Sequence, residues 1–201
     1  MAGRAYALEA PDGLTIIDAS IRGAGAKIIR QLAAAGRKPT DVKRIVITHA
    51  HPDHIGGLKQ LQHLTGAPVI TSAGERDVIE GKTIMMPHRQ IWRETVLVGQ
   101  VVEEEDTISG GLVVLHTPGH TLEHLSFWLP DQRILLCGDV MMNVVGLTLP
   151  IAPFTVDMGL VRQSIGRLAE LEPAVLCFGH GTPLVQDAAE KLKLFAGKVA
   201  R

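Results

Sequence analysis

Three imidazoles and a carboxylate crowd into Thr48-His49-Ala50-His51-Pro52-Asp53-His54, directly after the apolar run Ile45-Val46-Ile47. A short run of β-branched apolar residues reads as a buried strand, so the cluster lies where a strand gives way to a loop. Residues two apart on an extended chain point the same way, which lets His49 and His51 grip one ion. A turn after Pro52 would then aim Asp53 and His54 at a neighbouring position. Imidazole and carboxylate are ligands for Zn²⁺ and similar first-row metals. The chemistry these residues offer is therefore metal chemistry.

A metal centre needs more ligands than one short cluster supplies, and three further strand ends carry them. Leu112–Thr117 is predicted as a strand ending in Thr117-Pro118-Gly119-His120. Arg133–Cys137 ends in Gly138-Asp139, and Ala174–Phe178 ends in Gly179-His180-Gly181. In each, a glycine directly precedes the candidate ligand, where the backbone must turn tightly or approach a neighbour. Each fragment alone is weak evidence; the ordered set HxHxDH…GH…GD…GHG is specific.

With that set complete, the chain resembles the metallo-β-lactamase-fold hydrolase superfamily, from Tyr6 to about Leu194. The resemblance implies an α+β fold, an αββα sandwich of two mixed β-sheets packed face to face with helices on the outer faces. It implies that His49, His51 and His120 bind a first metal. Asp53, His54 and His180 would bind a second, with Asp139 bridging both and Asp18 supporting the ligands from behind. It also suggests that Asp53 shuttles a proton to the leaving group.

Chemistry accounts for that residue set independently of the family. Two cations roughly 3.5–4 Å apart share a bridging hydroxide and lower its pKa enough to make a nucleophile at neutral pH. One cation can polarise a carbonyl or phosphoryl oxygen while the other stabilises the leaving group. Ligating imidazoles need their second nitrogen oriented by a carboxylate or carbonyl, which gives Asp18 its use. Zn²⁺ is the best single match for the two divalent ions, and Fe and Mn also accept His and Asp ligands.

Departures from the family narrow the reading. True β-lactamases of this fold generally lack the bridging carboxylate assigned to Asp139, which moves the chain toward the glyoxalase-II-like, lactonase-like and phosphodiesterase-like branches. Glyoxalase II enzymes add a C-terminal helical region and commonly follow the GD motif with a GCGR-like segment. Here the sequence ends about twenty residues after His180 and continues Val140-Met141-Met142-Asn143 after Asp139, so neither is expected. The lactonase tyrosine three residues after the bridging Asp is replaced by Met142. The expected activity is hydrolysis of an ester, thioester or lactone carbonyl of a small, partly hydrophobic molecule. A phosphodiester hydrolase, a mononuclear iron-dependent oxygenase and a non-enzymatic sensor of the same fold are the alternatives.

The elements that must position these residues follow a layered α/β succession. Tyr6–Glu9 and Leu14–Ile17 flank the turn signal Pro11-Asp12-Gly13 and are predicted as a hairpin. Helices are predicted over Ala26–Ala35, Ile55–Leu64 and Ala188–Val199, with Asp157 capping another whose stripe is Val161, Ile165, Leu168 and Leu171. Strands are predicted at Arg44–Ile47, Pro68–Thr71 and Leu125–Leu129 besides those above. Gly81–Gly99 reads as a partly helical flap or loop. Met85–Trp92 and the apolar Met141–Phe154 are candidates for pocket wall, core or dimer contact. His116 and His124 flank the His120 motif and suit supporting or packing roles, His63 a helix surface, His88 a loop.

No linker or repeat divides the chain, and residues 1–201 read as a single domain. The composition, 46% hydrophobic and 20% charged with net charge −1, is that of a globular protein. It gives no support to nucleic-acid binding through phosphate neutralisation. No run is long enough for a membrane span, Met1–Ala10 lacks the pattern of an export signal, and a cytoplasmic location is expected. Cys137 and Cys177 form no CxxC pair and are expected as buried, reduced thiols. A homodimer is an open option.

Overall fold

The computed structural model describes residues 2–200, which divide into two compact units. One unit runs through Met85 and includes Arg89–Val102; the other comprises Met86–His88 and the chain from Glu103 onward.

The first unit is built on strands β1 (Tyr6–Ala10), β2 (Gly13–Ile17), β3 (Val42–Val46), β4 (Val69–Thr71) and β7 (Gln100–Val101). They form one mixed sheet in the order β1-β2-β3-β4-β7. β1 and β2 are the expected hairpin, with Tyr6 opposite Ile17, and the remaining neighbours are parallel. Parallel neighbours need crossovers, supplied by α1 (Ala24–Ala34), α2 (Pro52–Ile55), α3 (Leu58–Thr65) and α4 (Ala73–Ile79). Ile16, Ile45, Ile47, Leu58, Leu61, Val69 and Ile79 form the centre of its core. Asp18, Thr48 and Ser72 follow the carboxyl ends of β2, β3 and β4, so the parallel sheet delivers them to one edge.

Local chemistry changes three expectations here. The segment Ile55–Leu64 is not one helix: α2 begins at Pro52, and Gly56-Gly57 separates it from α3. Pro52 at the first helical position loses no hydrogen bond and has φ pre-set for a helix, so Asp53 and His54 sit on a helical turn rather than a loop turn. Gly81–Gly99 carries no helix but a hairpin of β5 (Ile84–Met85) and β6 (Gln90–Ile91). Finally, α4 itself has no counterpart among the predicted elements.

The second unit holds β8 (Thr107–Ile108), β9 (Leu112–His116), β10 (Leu125–Leu129), β11 (Ile134–Leu136) and β14 (Val175–Cys177) in one sheet ordered β14-β11-β10-β9-β8. β11 and β14 are parallel and the other pairs antiparallel. Strands β9, β11 and β14 therefore run in one direction, and His120, Asp139 and His180 all follow their carboxyl ends. A small hairpin, β12 (Met142–Asn143) with β13 (Leu147–Thr148), occupies part of the apolar passage. Within that passage Met141 and Met142 are buried, whereas Val145, Ile151 and Phe154 are exposed.

Helices α5 (Met158–Ala169) and α6 (Ala188–Val199) complete this unit. Asp157 caps α5 as expected, its carboxylate accepting from the N–H groups of Gly159 and Leu160. Val161, Ile165 and Leu168 are fully buried on the predicted stripe, and Leu171 packs against the same core just past the helix end.

Candidate functional site

Asp18 organises the first unit's ligand candidates. It is buried and adopts φ 59°, a left-handed conformation that Asp tolerates better than most residues. A buried carboxylate is costly unless it is hydrogen-bonded, and Asp18 takes three donors. The Thr48 N–H reaches Oδ1 at 2.8 Å, the Thr48 hydroxyl reaches Oδ2 at 2.8 Å, and His54 Nδ1 lies 2.7 Å from Oδ2.

These bonds decide where the imidazole protons sit. A carboxylate only accepts, so the His54 proton is on Nδ1 and Nε2 is the acceptor. The single Thr48 hydroxyl proton goes to Asp18. Its oxygen, 3.0 Å from His49 Nδ1, therefore accepts from that ring. His49 is thus also protonated on Nδ1, with Nε2 as its ligand atom. The His49 ring centroid lies 4.1 Å from that of His54 and 4.7 Å from that of His51. His49, His51 and His54 are buried, and Asp53 is half-buried. From α4, buried Glu75 accepts the Ala50 N–H at 2.8 Å and so anchors the link between His49 and His51.

In the second unit, β11 and β14 continue their pairing past the strand ends. Cys137 N–H donates to Cys177 O at 2.9 Å and Gly179 N–H to Gly138 O at 2.8 Å. That register brings Asp139 beside His180, with Oδ2 3.3 Å from His180 Nε2 and 3.5 Å from His120 Nε2. His120 Nδ1 is 3.2 Å from Thr155 Oγ1, whose own proton goes to Ile151 O at 3.0 Å. The hydroxyl therefore accepts from His120, and Nε2 turns an acceptor toward the carboxylate oxygen. Two acceptors at that separation repel unless a cation serves both, so the donor set fits a metal.

Asp139 is held through His124. The Asp139 N–H donates to His124 Nε2 at 3.1 Å, which makes His124 neutral with its proton on Nδ1. That proton goes to Thr117 Oγ1 at 2.9 Å, Thr117 donates to Ser126 at 2.8 Å, and Ser126 donates to Cys137 O at 3.4 Å. Every donor in this buried chain has one acceptor.

Two glycines make the approaches possible. A Cβ on Gly119, at φ 136°, would lie 2.4 Å from the backbone nitrogen of Val161, because the loop before His120 abuts the start of α5. One on Gly181, after His180, would lie 2.0 Å from Asn143 O.

The remaining histidines separate cleanly. His116 bonds Leu122 O through Nε2 at 3.0 Å and its backbone ties to Arg167, a structural role. His63 is exposed on α3, and the His88 ring packs at a tilt against Phe154, centroids 5.1 Å apart. Both cysteines are buried and outside any disulfide, and burial raises the Cys137 thiol pKa well above its ordinary value, with Cys177 and Asp139 adding to the effect.

All eight residues expected at the site are thus accounted for: Asp18, His49, His51, Asp53 and His54 gather in one unit, His120, Asp139 and His180 in the other. Sequence reasoning missed Glu75, Thr155, and the Thr117–Ser126 relay. None has a local signal, since each acts on a residue distant in the chain. Thr48 did have one, as a hydroxyl directly preceding a ligand.

Comparison with known proteins places the sequence and the fold. Residues 1–180 match the family model described as the metallo-beta-lactamase superfamily. The probable metallo-hydrolase YflN of Bacillus subtilis is 26% identical over 204 residues, covering 87% of this chain and 77% of that protein. A hydroxyacylglutathione hydrolase of Rhodospirillum rubrum is 29% identical over 153 residues, 74% of this chain; the chain spans only 52% of that relative's length. The solved structure of TTHA1623 in a di-iron-bound form has a TM-score of 0.74 at 25% identity, covering 90% of this chain and 89% of that one. The fold is α+β of the metallo-β-lactamase type, as expected. No helix among the described residues is long and apolar enough to cross a membrane. By motif, fold and family match together, the chain belongs to the metallo-beta-lactamase superfamily.

Proposed function

We propose that the chain is a metal-dependent hydrolase whose two units act as one domain, residues 1–201, on an ester, thioester or lactone carbonyl of a small molecule. In this reading His49, His51 and His120 would hold one divalent ion, Asp53, His54 and His180 would hold a second, and Asp139 would serve both. The observation that carries it is the hydrogen-bond pattern: hydroxyl and carboxylate partners engage Nδ1 of His49, His54 and His120, which leaves Nε2 as the candidate ligand atom of each ring. Such pre-orientation is what ligation by imidazole requires, beyond the satisfaction of buried polar groups that the fold itself demands.

Bound there, the ions supply a low-pKa nucleophile and polarisation of the scissile carbonyl. The protein's own part is orientation and proton handling. Asp18 keeps two rings in the ligating tautomer, and His124 and the Gly138 turn hold Asp139. Asp53, half-buried on the first turn of α2, carries the proton to the leaving group. Relatives named as hydroxyacylglutathione hydrolases support a thioester as one substrate class, although the chain spans about half their length. Zinc is the first choice of metal, and iron the second, supported by the di-iron form of the structural relative.

The test is metal quantification on purified protein joined to a panel of ester, thioester, lactone and phosphodiester substrates. Two equivalents of metal and carbonyl hydrolysis abolished by chelation are expected. Turnover that survives chelation would overturn the reading. So would one iron per chain with oxygen consumption and no hydrolysis, which identifies the oxygenase instead.

A further inference from the structure

Beside Asp53 the first unit opens a cleft of about 500 Å³ between the loop after β2 and the segment that follows β6. Its walls combine apolar and cationic groups in a way that the metal chemistry does not use. Ile21 and Ile91 stand 45% and 59% exposed, a high value for large apolar side chains flanking one depression. In the same lining, the Trp92 indole is held by its Nε1–H, which donates to Glu94 O at 3.0 Å.

The charges are just as specific. Arg22 and Glu94 neutralise each other across 2.8 Å, and Asp53 is committed to metal in the proposed function. Arg93 is exposed and, among the described residues, has no hydrogen-bond or ion-pair partner. The cleft thus combines apolar side chains with one uncompensated guanidinium, a group suited to bidentate recognition of a carboxylate.

We propose that this cleft is the acyl subsite, and that the substrate's acyl chain is short, apolar in its middle and carboxylate-bearing at its far end. The inference rests on the hydrolase reading for its direction, since Asp53 marks the end at which the scissile carbonyl sits. Burial of each methylene on Ile21, Ile91 and Trp92 contributes roughly fourfold in affinity. The anionic end adds about three- to tenfold, the range between an exposed ion pair and a charge-assisted one.

The experiment uses the metal-loaded chain and two matched pairs of probes. Binding is read by tryptophan fluorescence with hexanamide and with adipamate, the monoamide of adipic acid, because amides resist turnover. Turnover is read with 4-nitrophenyl hexanoate and mono(4-nitrophenyl) adipate. Adipamate is expected to bind about three- to tenfold more tightly than hexanamide, and Arg93→Gln to abolish that preference. The same variant raises KM for the anionic ester by the same factor, with kcat and the neutral ester unchanged. Equal binding of the two amides would overturn the proposal. So would a preference that persists in Arg93→Gln, which places the carboxylate elsewhere. If neither ester is hydrolysed while the Arg93-dependent amide preference holds, the hydrolase reading fails and the cleft stands as an anion-selective site.

Discussion

Asp18→Asn isolates the support of the ligands from the ligands themselves. Asn tolerates the left-handed backbone at position 18, where φ is 59°, as well as Asp does, so the swap adds no strain. The amide can still accept from Thr48 through its oxygen. Its NH₂ then faces His54 Nδ1, which lies 2.7 Å from the native carboxylate. Two donors cannot share that contact, so His54 must move its proton to Nε2 and lose the ligating tautomer. The bonds to Thr48 weaken by about 1 kcal/mol each, and the charge-assisted bond to His54, about 1.5–3 kcal/mol, becomes a neutral one of about 0.5–1.5 kcal/mol. Relief from burying a charge offsets part of this, leaving a net cost of roughly 1–3 kcal/mol in the metal-free chain. At about 2–4 °C per kcal/mol for a chain of this size, the metal-free Tm falls by about 2–12 °C.

The metal-loaded chain should lose more. Removal of an orienting partner lowers metal affinity about 10–100-fold, or about 1.4–2.7 kcal/mol, and that term is added to the loaded state only. Thermal melts with and without metal, joined to competition against a chromophoric chelator, read the two terms separately. Equal Tm losses in both forms, with unchanged chelator competition, would refute the tautomer argument and leave Asp18 a purely structural residue.

Four further outcomes follow from the same geometry. His124→Leu leaves the Asp139 N–H buried without an acceptor and should cost about 1–3 kcal/mol in denaturant unfolding; His124→Gln, with an acceptor and a donor, should recover most of the stability and metal affinity. Gly119→Ala places a Cβ 2.4 Å from the Val161 nitrogen at a φ of 136°, so a loss above about 2 kcal/mol and reduced metal content are expected, by melts and elemental analysis. Neither Cys137 nor Cys177 should react with a thiol-specific chromogenic reagent in the folded protein, and both should react after denaturation, because both are buried. The Glu80 carboxyl is held below its ordinary pKa of 4.5 first by its hydrogen bond with Lys82 and then by the Val98 N–H. A lowered folded pKa stabilises above the unfolded value and the gain vanishes as pH falls through the folded one. Glu80→Gln should therefore be less stable than the native chain at pH 7 and equal to it well below pH 4.5.

Much of the fold could be read from local pattern. The Pro11-Asp12-Gly13 turn, the Asp157 cap and the stripe of α5 each depend on neighbours within a few residues, and all three are as expected. The Gly81–Gly99 segment was misread because its apolar and aromatic residues have no clear period, and a two-residue strand leaves almost none to find. α4 was missed for a related reason: with seven residues and a buried Glu75 on its inner face, it lacks a clean apolar stripe.

The ligand candidates were legible in the sequence alone, because they cluster at or just beyond the ends of apolar runs, where local spacing marks them. Proton position and support were decided only by tertiary structure. Asp18 reaches Thr48 and His54 from thirty and thirty-six residues away, Glu75 reaches Ala50 across twenty-five, and Thr155 reaches His120 across thirty-five. A hydrogen bond is set by separation in space and by direction, neither of which composition or period encodes. The sequence therefore carries the candidate ligands, and the folded chain sets which nitrogen of each ring faces away from its hydrogen-bond partner.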